Sequence, residues 1–152
     1  VAAANPNTVV VLFCGSAVET PWLDKVKAVL YMGLPGQAGG ATAANLLTGK
    51  VNPSGKLTET WPLTYADVPS RDTFGKKTTH YKEGLYAGYR YYDTAGKAVR
   101  FPFGYGLSYT QFSYSDLKID GRTVSATVTN TGSTAGAEVV QLYVAPPPMQ
   151  IS

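Results

Sequence analysis

Apolar positions fall into several patterns along the chain, and each predicts a different element. "TVVVLFCG" (8–15) is an unbroken apolar, β-branched run, which predicts a strand buried on both faces of a parallel sheet. In "TPWLDKVKAVLYMG" (20–33), Thr20 offers a helix cap and Pro21 suits a first helical position. Trp22, Val26, Val29 and Leu30 fall at helical spacing, while "AVLYMG" suits a buried strand equally well. The reading adopted is a short helix over 22–27 and a strand over 28–32. "GLPGQAGGATAANLLTGK" (33–50) predicts a turn at Pro35-Gly36 and a helix over 40–48 stopped by Gly49. Gly39, Gly40 and Ala41 would let that helix approach a sheet closely. "NPSGKLTETWP" (52–62) predicts a turn and then a short strand closed by Pro62. The order β-α-β-α-β makes residues 1–62 the last part of a layered α/β domain.

Beyond Pro62 the pattern changes twice. Residues 63–106 are polar, aromatic and glycine-rich, too long for a simple linker and too aromatic for disorder. They predict an ordered, extended wrapping segment that packs its tyrosines on neighbouring domains. From 107 onward, Phe112/Tyr114 and Leu117/Ile119 precede an Asp120-Gly121 hairpin signal. "TVSATVTN" alternates with period two, and "EVVQLYV" predicts another strand before a proline-rich exit. Residues 107–152 therefore predict three or four strands of an antiparallel β-sandwich, short of the roughly seven such a fold needs. The fold class expected is α/β followed by all-β.

Composition narrows the function classes. The 152 residues are 44% hydrophobic and 15% charged, a globular balance. A net charge of +3 with no run of like charges gives no argument for nucleic acid. No stretch reaches the roughly 18 apolar residues of a membrane-spanning helix, and no signal peptide opens the chain. The single cysteine, Cys14, excludes an internal disulfide framework and reads as a buried, inert thiol. The abrupt start before a strand, and the halt at "PPPMQIS", read as cuts through two domains.

The glycines of 33–50 invite a phosphate-loop reading, and the spacing rejects it. Counting back from Gly49-Lys50, Ala44 stands where a Walker loop needs its first glycine, and Val51 follows the lysine. No Gly-x-Gly precedes Gly33 and Gly36, so the dinucleotide pattern fails as well. In "FCGSAVE", Val18 occupies the second glycine position of a nucleophile elbow. His80, the only histidine, has no second histidine or cysteine near it in sequence and reads as an exposed or interface residue. Glu83 and Asp93 bracket "EGLYAGYRYYD" with Arg90 between them, a pattern that suits an Arg–carboxylate lock on the wrapping segment. The sharper reading places one of them beside a polar, aromatic-walled pocket of the kind that takes sugar faces.

Three blocks, "GLPGQAGGATAANLLTGKVNPSGKLTETWP", "YKEGLYAGYRYYD" and "FPFGYGLSYTQFSYSDL", resemble in order and spacing the C-terminal part of glycoside hydrolase family 3, in particular its bacterial β-glucosidases. The resemblance covers about residues 7–146. It implies a (β/α)8-type barrel, then an α/β sandwich, then a fibronectin type III-like domain. Residues 1–62 would end the sandwich, 63–106 would connect, and 107–152 would begin an incomplete fibronectin-like domain. The family's retaining mechanism needs two carboxylates at the glycosidic bond. The resemblance puts its Asp nucleophile in the barrel and its Glu acid/base upstream of Val1, so Glu19 and Glu59 do not inherit either role. It thus implies a scaffold with no catalytic residue, metal or cofactor. Substrate-binding residues stay unassigned, with Glu83, Arg90 and Asp93 as candidates. The implied partners are a β-glucoside or oligosaccharide, through a full enzyme, and a barrel domain or second chain to pack on. The alternatives are a stand-alone carbohydrate-binding or interaction module, or a piece complemented by a barrel-bearing chain. The compartment is not fixed by these residues.

Overall fold

A computed structural model describes residues 1–145. Strand β1 (Val9–Leu12) lies parallel to β2 (Ala28–Tyr31), with Val9 opposite Ala28 and Leu12 opposite Tyr31. The crossover between them carries a single 3₁₀ turn, Leu23–Lys25, in place of the helix expected over 22–27. Thr20 does not cap it through its side chain. Its carbonyl accepts from the Leu23 amide at 3.1 Å, and its buried hydroxyl has no partner among the described residues. Too few turns form for helical spacing to bury an apolar stripe, and the chain extends into β2 instead.

Helix α1 (Gly39–Leu47) matches the span expected for it to within a residue. Its start explains one glycine: a Cβ at Gly39 would sit 2.6 Å from the Pro35 ring and 3.5 Å from Phe13. Gly40 faces open space, so the close-approach reading holds for Gly39 alone. At the other end Gly49 adopts φ +74, the left-handed conformation that ends helices at low cost only for glycine.

The third strand departs from the expected β-α-β-α-β layer. Strand β3 is only Trp61–Pro62, and it pairs antiparallel with β4 (Val99–Phe101) rather than with β1 or β2. Pro62 supplies no amide to a ladder, which limits the strand on that side. The β1–β2 pair is likewise not buried on both faces: Val9 is exposed, the other strand residues of β1 are half-buried, and Cys14 is half-buried rather than sealed in a core.

Residues 63–106 are not simply extended. They hold a 3₁₀ turn at Tyr65–Asp67, helix α2 (Tyr89–Thr94) and β4. Several of their aromatics stack within the chain. Trp61, 2% exposed, meets Tyr31 edge-on at 5.3 Å between centroids and Phe101 at 5.8 Å; Phe101 in turn stacks on Tyr105 at 4.9 Å. This cluster joins β2, β3 and β4 around Trp61; Ala43 of α1 and Tyr92 of α2 are the other buried apolar side chains of the described residues.

Strands β5 (Phe112–Asp120) and β6 (Thr123–Asn130) form a hairpin. Asp120 pairs with Thr123, so the turn residues are Gly121-Arg122, one position later than the Asp-Gly signal suggests. Gly121 has φ +56, as the first position of a type II′ turn requires. Beyond β6, "EVVQLYV" (138–144) forms no strand, so among the described residues two strands stand where three or four were expected; the proline-rich exit from 146 onward lies outside the described residues. Its apolar residues Val139, Val140, Leu142 and Val144 are exposed, and side chains rather than a ladder hold the segment in place.

Candidate functional site

The bracketed segment "EGLYAGYRYYD" enters helix α2 through Gly88, whose φ of +60 turns the chain into the first helical residue. Glu83 precedes a tight turn in which its carbonyl accepts from the Tyr86 amide at 2.9 Å. That turn and α2 form the walls of an open cleft of about 310 Å³. Pro69, Lys82, Glu83, Tyr86, Tyr91 and Thr94 line it. The cleft presents two phenol rings, one ammonium and one carboxylate on a largely apolar surface, a chemistry suited to a polyhydroxylated ring.

Of the three residues singled out by sequence, only Glu83 lines this cleft. Arg90 is exposed and lies over the Tyr89 ring at 5.0 Å, a cation–π contact. Tyr89 packs in turn on Phe103 at 5.4 Å and Tyr143 at 5.6 Å. Asp93 is exposed, with no side-chain hydrogen bond or ion pair among the described residues. The expected lock between Arg90 and Glu83 or Asp93 does not form. The ion pairs of the described residues are Lys56–Glu138 at 3.2 Å, Arg71–Asp72 at 2.8 Å and Lys97–Asp67 at 3.4 Å. The partner that the structure gives Arg90 is the aromatic ring next to it in sequence. His80 is exposed.

Several carboxylates are engaged within the chain. Glu19 accepts from the Tyr65 amide at 2.6 Å, tying the β1–β2 crossover to the start of the aromatic segment. Asp67 accepts from the Thr64 hydroxyl at 3.0 Å and from Lys97. The Thr64 bond, with help from Lys97, holds its carboxyl below the usual carboxylate range. Asp72 is lowered in the same direction by the Arg71 guanidinium. Burial pushes the Tyr92 phenol up, with the Asp67 charge adding to it; its ring meets Tyr91 edge-on at 5.2 Å. Among the described residues no three His, Cys, Asp or Glu side chains converge as a metal site would require. No helix among them is long and apolar enough to cross a membrane.

Sequence reading missed the residues around Glu83 that complete the cleft. Lys82 is adjacent to it, but Pro69 and Thr94 come from the two ends of the irregular segment, and no periodicity links them. It also missed Asn52 and Lys56, whose turn was recognised but whose side chains reach 50 to 83 residues along the chain.

A parallel strand pair with one helix, an aromatic cluster and an antiparallel hairpin follow one another in this order. Residues 1–109 match the Glycosyl hydrolase family 3 C-terminal domain. The chain belongs to glycosyl hydrolase family 3. It is 52% identical to thermostable beta-glucosidase B of Acetivibrio thermocellus, across 95% of this chain and 20% of that protein. It is 48% identical to an exo-alpha-(1->6)-L-arabinopyranosidase of Bifidobacterium longum, across 96% and 20%. Among solved structures, beta-glucosidase 3B of Thermotoga neapolitana in complex with glucose superimposes with a TM-score of 0.80 at 44% identity, covering 86% of this chain and 20% of the other. The beta-glucosidase of Kluyveromyces marxianus in complex with glucose gives 0.80 at 40% identity, covering 88% and 17%. The chain thus spans about a fifth of the length of the relatives it matches.

Proposed function

We propose that this chain is the non-catalytic C-terminal scaffold of a retaining β-glucosidase-like hydrolase that removes terminal sugars from glycosides. The observation that carries the reading is the place of the match: residues 1–109 correspond to the C-terminal domain of the family, and the chain corresponds to about a fifth of its relatives' length. Hydrolysis with retention needs two carboxyl groups about 5–5.5 Å apart at one glycosidic bond. Here Glu19, Asp67, Asp72 and Glu138 are held instead by a backbone amide, a hydroxyl and cationic side chains. Residues 1–62 act as the end of an α/β sandwich, 63–106 as the connection, and 107–152 as the start of a fibronectin type III-like sandwich. The open apolar face of β5–β6 supports the last assignment, since such a face needs a second sheet over it. The exposed aromatics Tyr81 and Tyr86 are where the connection packs on a barrel domain or on another chain.

The sugar accepted is set elsewhere in the enzyme. Relatives of 52% and 48% identity over nearly the same residues carry different sugars in their names, a glucoside and an L-arabinopyranoside. Such a segment supports either chemistry equally.

The Glu83 cleft favours a second reading, a sugar-binding or interaction module. Two measurements on the purified chain separate them: hydrolysis of an aryl β-glucoside, and calorimetric titration with glucose and a β-glucoside against wild type and Glu83→Gln. The scaffold reading expects neither turnover nor saturable binding. Turnover lost on changing one of its carboxylates would overturn it, and saturable binding lost in Glu83→Gln would establish the module.

A further inference from the structure

We propose that the turn Asn52–Leu57 is a latch that holds the β5–β6 hairpin, with its return segment 132–141, on the α/β segment. Releasing the latch frees the hairpin while the α/β segment stays folded.

The latch has three layers of contact. Asn52 uses both ends of its amide: Oδ1 accepts from the Ser108 hydroxyl at 2.9 Å and the Tyr109 amide at 2.8 Å, while Nδ2 donates to the Ala135 carbonyl at 3.0 Å. One side chain thereby holds the chain on both sides of the hairpin, just before β5 and just after β6. Lys56 does the same with a charge. Its ammonium donates to the Gly106 carbonyl at 2.7 Å and pairs with Glu138 at 3.2 Å, both side chains being about 15% exposed. Shielding of this order makes the pair stronger than an ordinary surface salt bridge. Beneath them the backbone of Leu57 exchanges bonds with Tyr105 (2.8 Å) and Gly104 (2.7 Å).

The fit leaves no slack. A Cβ at Gly136 would stand 2.7 Å from Asn52 Nδ2, and one at Gly106 would collide with the Gly55 carbonyl oxygen. Elsewhere the hairpin is almost wholly exposed, from Ser113 through β6. It therefore has few other contacts to hold its orientation. Tyr109 closes the circuit by donating its hydroxyl to the Leu46 carbonyl in the last turn of α1, at 2.9 Å. Local opening of such a hairpin should report chiefly on these bonds, since opening free energies follow local contacts.

Hydrogen exchange followed by mass spectrometry on the 152-residue chain tests the proposal, using Asn52→Ala, Lys56→Met and, as control, the exposed β6 substitution Thr127→Ala. Each latch variant should speed exchange at Tyr109–Phe112 and at the end of β6 by about tenfold, the factor expected from losing one or two partly buried hydrogen bonds. Peptides from β1, β2 and the first turns of α1 should exchange as in wild type, and the control should change nothing. The proposal is overturned if both latch variants leave the hairpin unchanged. It is equally overturned if exchange rises to the same degree in β1, β2 and α1, or if the wild-type hairpin shows no protection.

Discussion

Trp61 sits where the parallel pair, the two-residue strand and the aromatic segment meet, and it is among the few residues sealed from solvent. Trp61→Ala should cost about 3–5 kcal/mol, read as a shift in urea midpoint at constant slope. Trp61→Phe should cost clearly less, because the indole nitrogen has no hydrogen-bond partner among the described residues to lose. At Asp67 the sign of the pH dependence follows from its lowered pKa. The contribution to stability is fully present above the unfolded-chain value of about 3.9 and is lost as pH falls through the lower folded value. Thr64→Val should raise the Asp67 pKa, as an NMR titration of its carboxyl would register; no rise would mean that the Thr64 hydroxyl does not hold it. Single residues of this kind were only partly legible in the sequence. Gly49 could be assigned from its place after an apolar helix, whereas the partners of Asp67 depend on a turn and a lysine 30 residues away.

Among the elements, the helix and the hairpin were legible because their signals are local. Helix α1 combines small and aliphatic residues with a glycine stop, and Gly49→Ala should cost about 1 kcal/mol by forcing a side chain into the left-handed region, measurable by thermal or urea unfolding. The hairpin holds a less obvious feature. Phe112, Tyr114, Leu117 and Ile119 are not in strict alternation, since three positions separate Tyr114 from Leu117. A bulge between Ser115 and Lys118, with Asp116 at φ +53, absorbs the extra residue. Tyr114 then opposes Val128 and Ile119 opposes Val124, so all of these apolar residues share one face. That face is open in the described residues, with Leu117 and Ile119 68% and 73% exposed. Exposed apolar hairpins associate. Leu117→Ser with Ile119→Ser should therefore reduce self-association of the isolated chain in light scattering, with little effect on its unfolding midpoint. The short strands β3 and β4 were not legible as partners, because their pairing joins segments some 38 residues apart through an irregular stretch.

For the whole molecule, order and spacing of three blocks were enough to identify the family, because each block builds a junction: strand to helix, turn to α2, and β4 to hairpin. The candidate site was less legible. Acid–arginine–acid spacing suggested a lock, but the structure gives Arg90 to an aromatic ring and leaves Glu83 alone on a cleft assembled from distant residues. The central claim is that this chain supports sugar hydrolysis without performing its chemistry. The most direct test replaces the matching fifth of the Acetivibrio thermocellus enzyme with this chain and assays the chimera on an aryl β-glucoside. Each of the ten Asp and Glu residues is then changed singly to its amide. The account predicts an active chimera in which every folded variant keeps kcat to within about tenfold. A loss of kcat by about a thousandfold or more from one such change, with the fold intact, would contradict it.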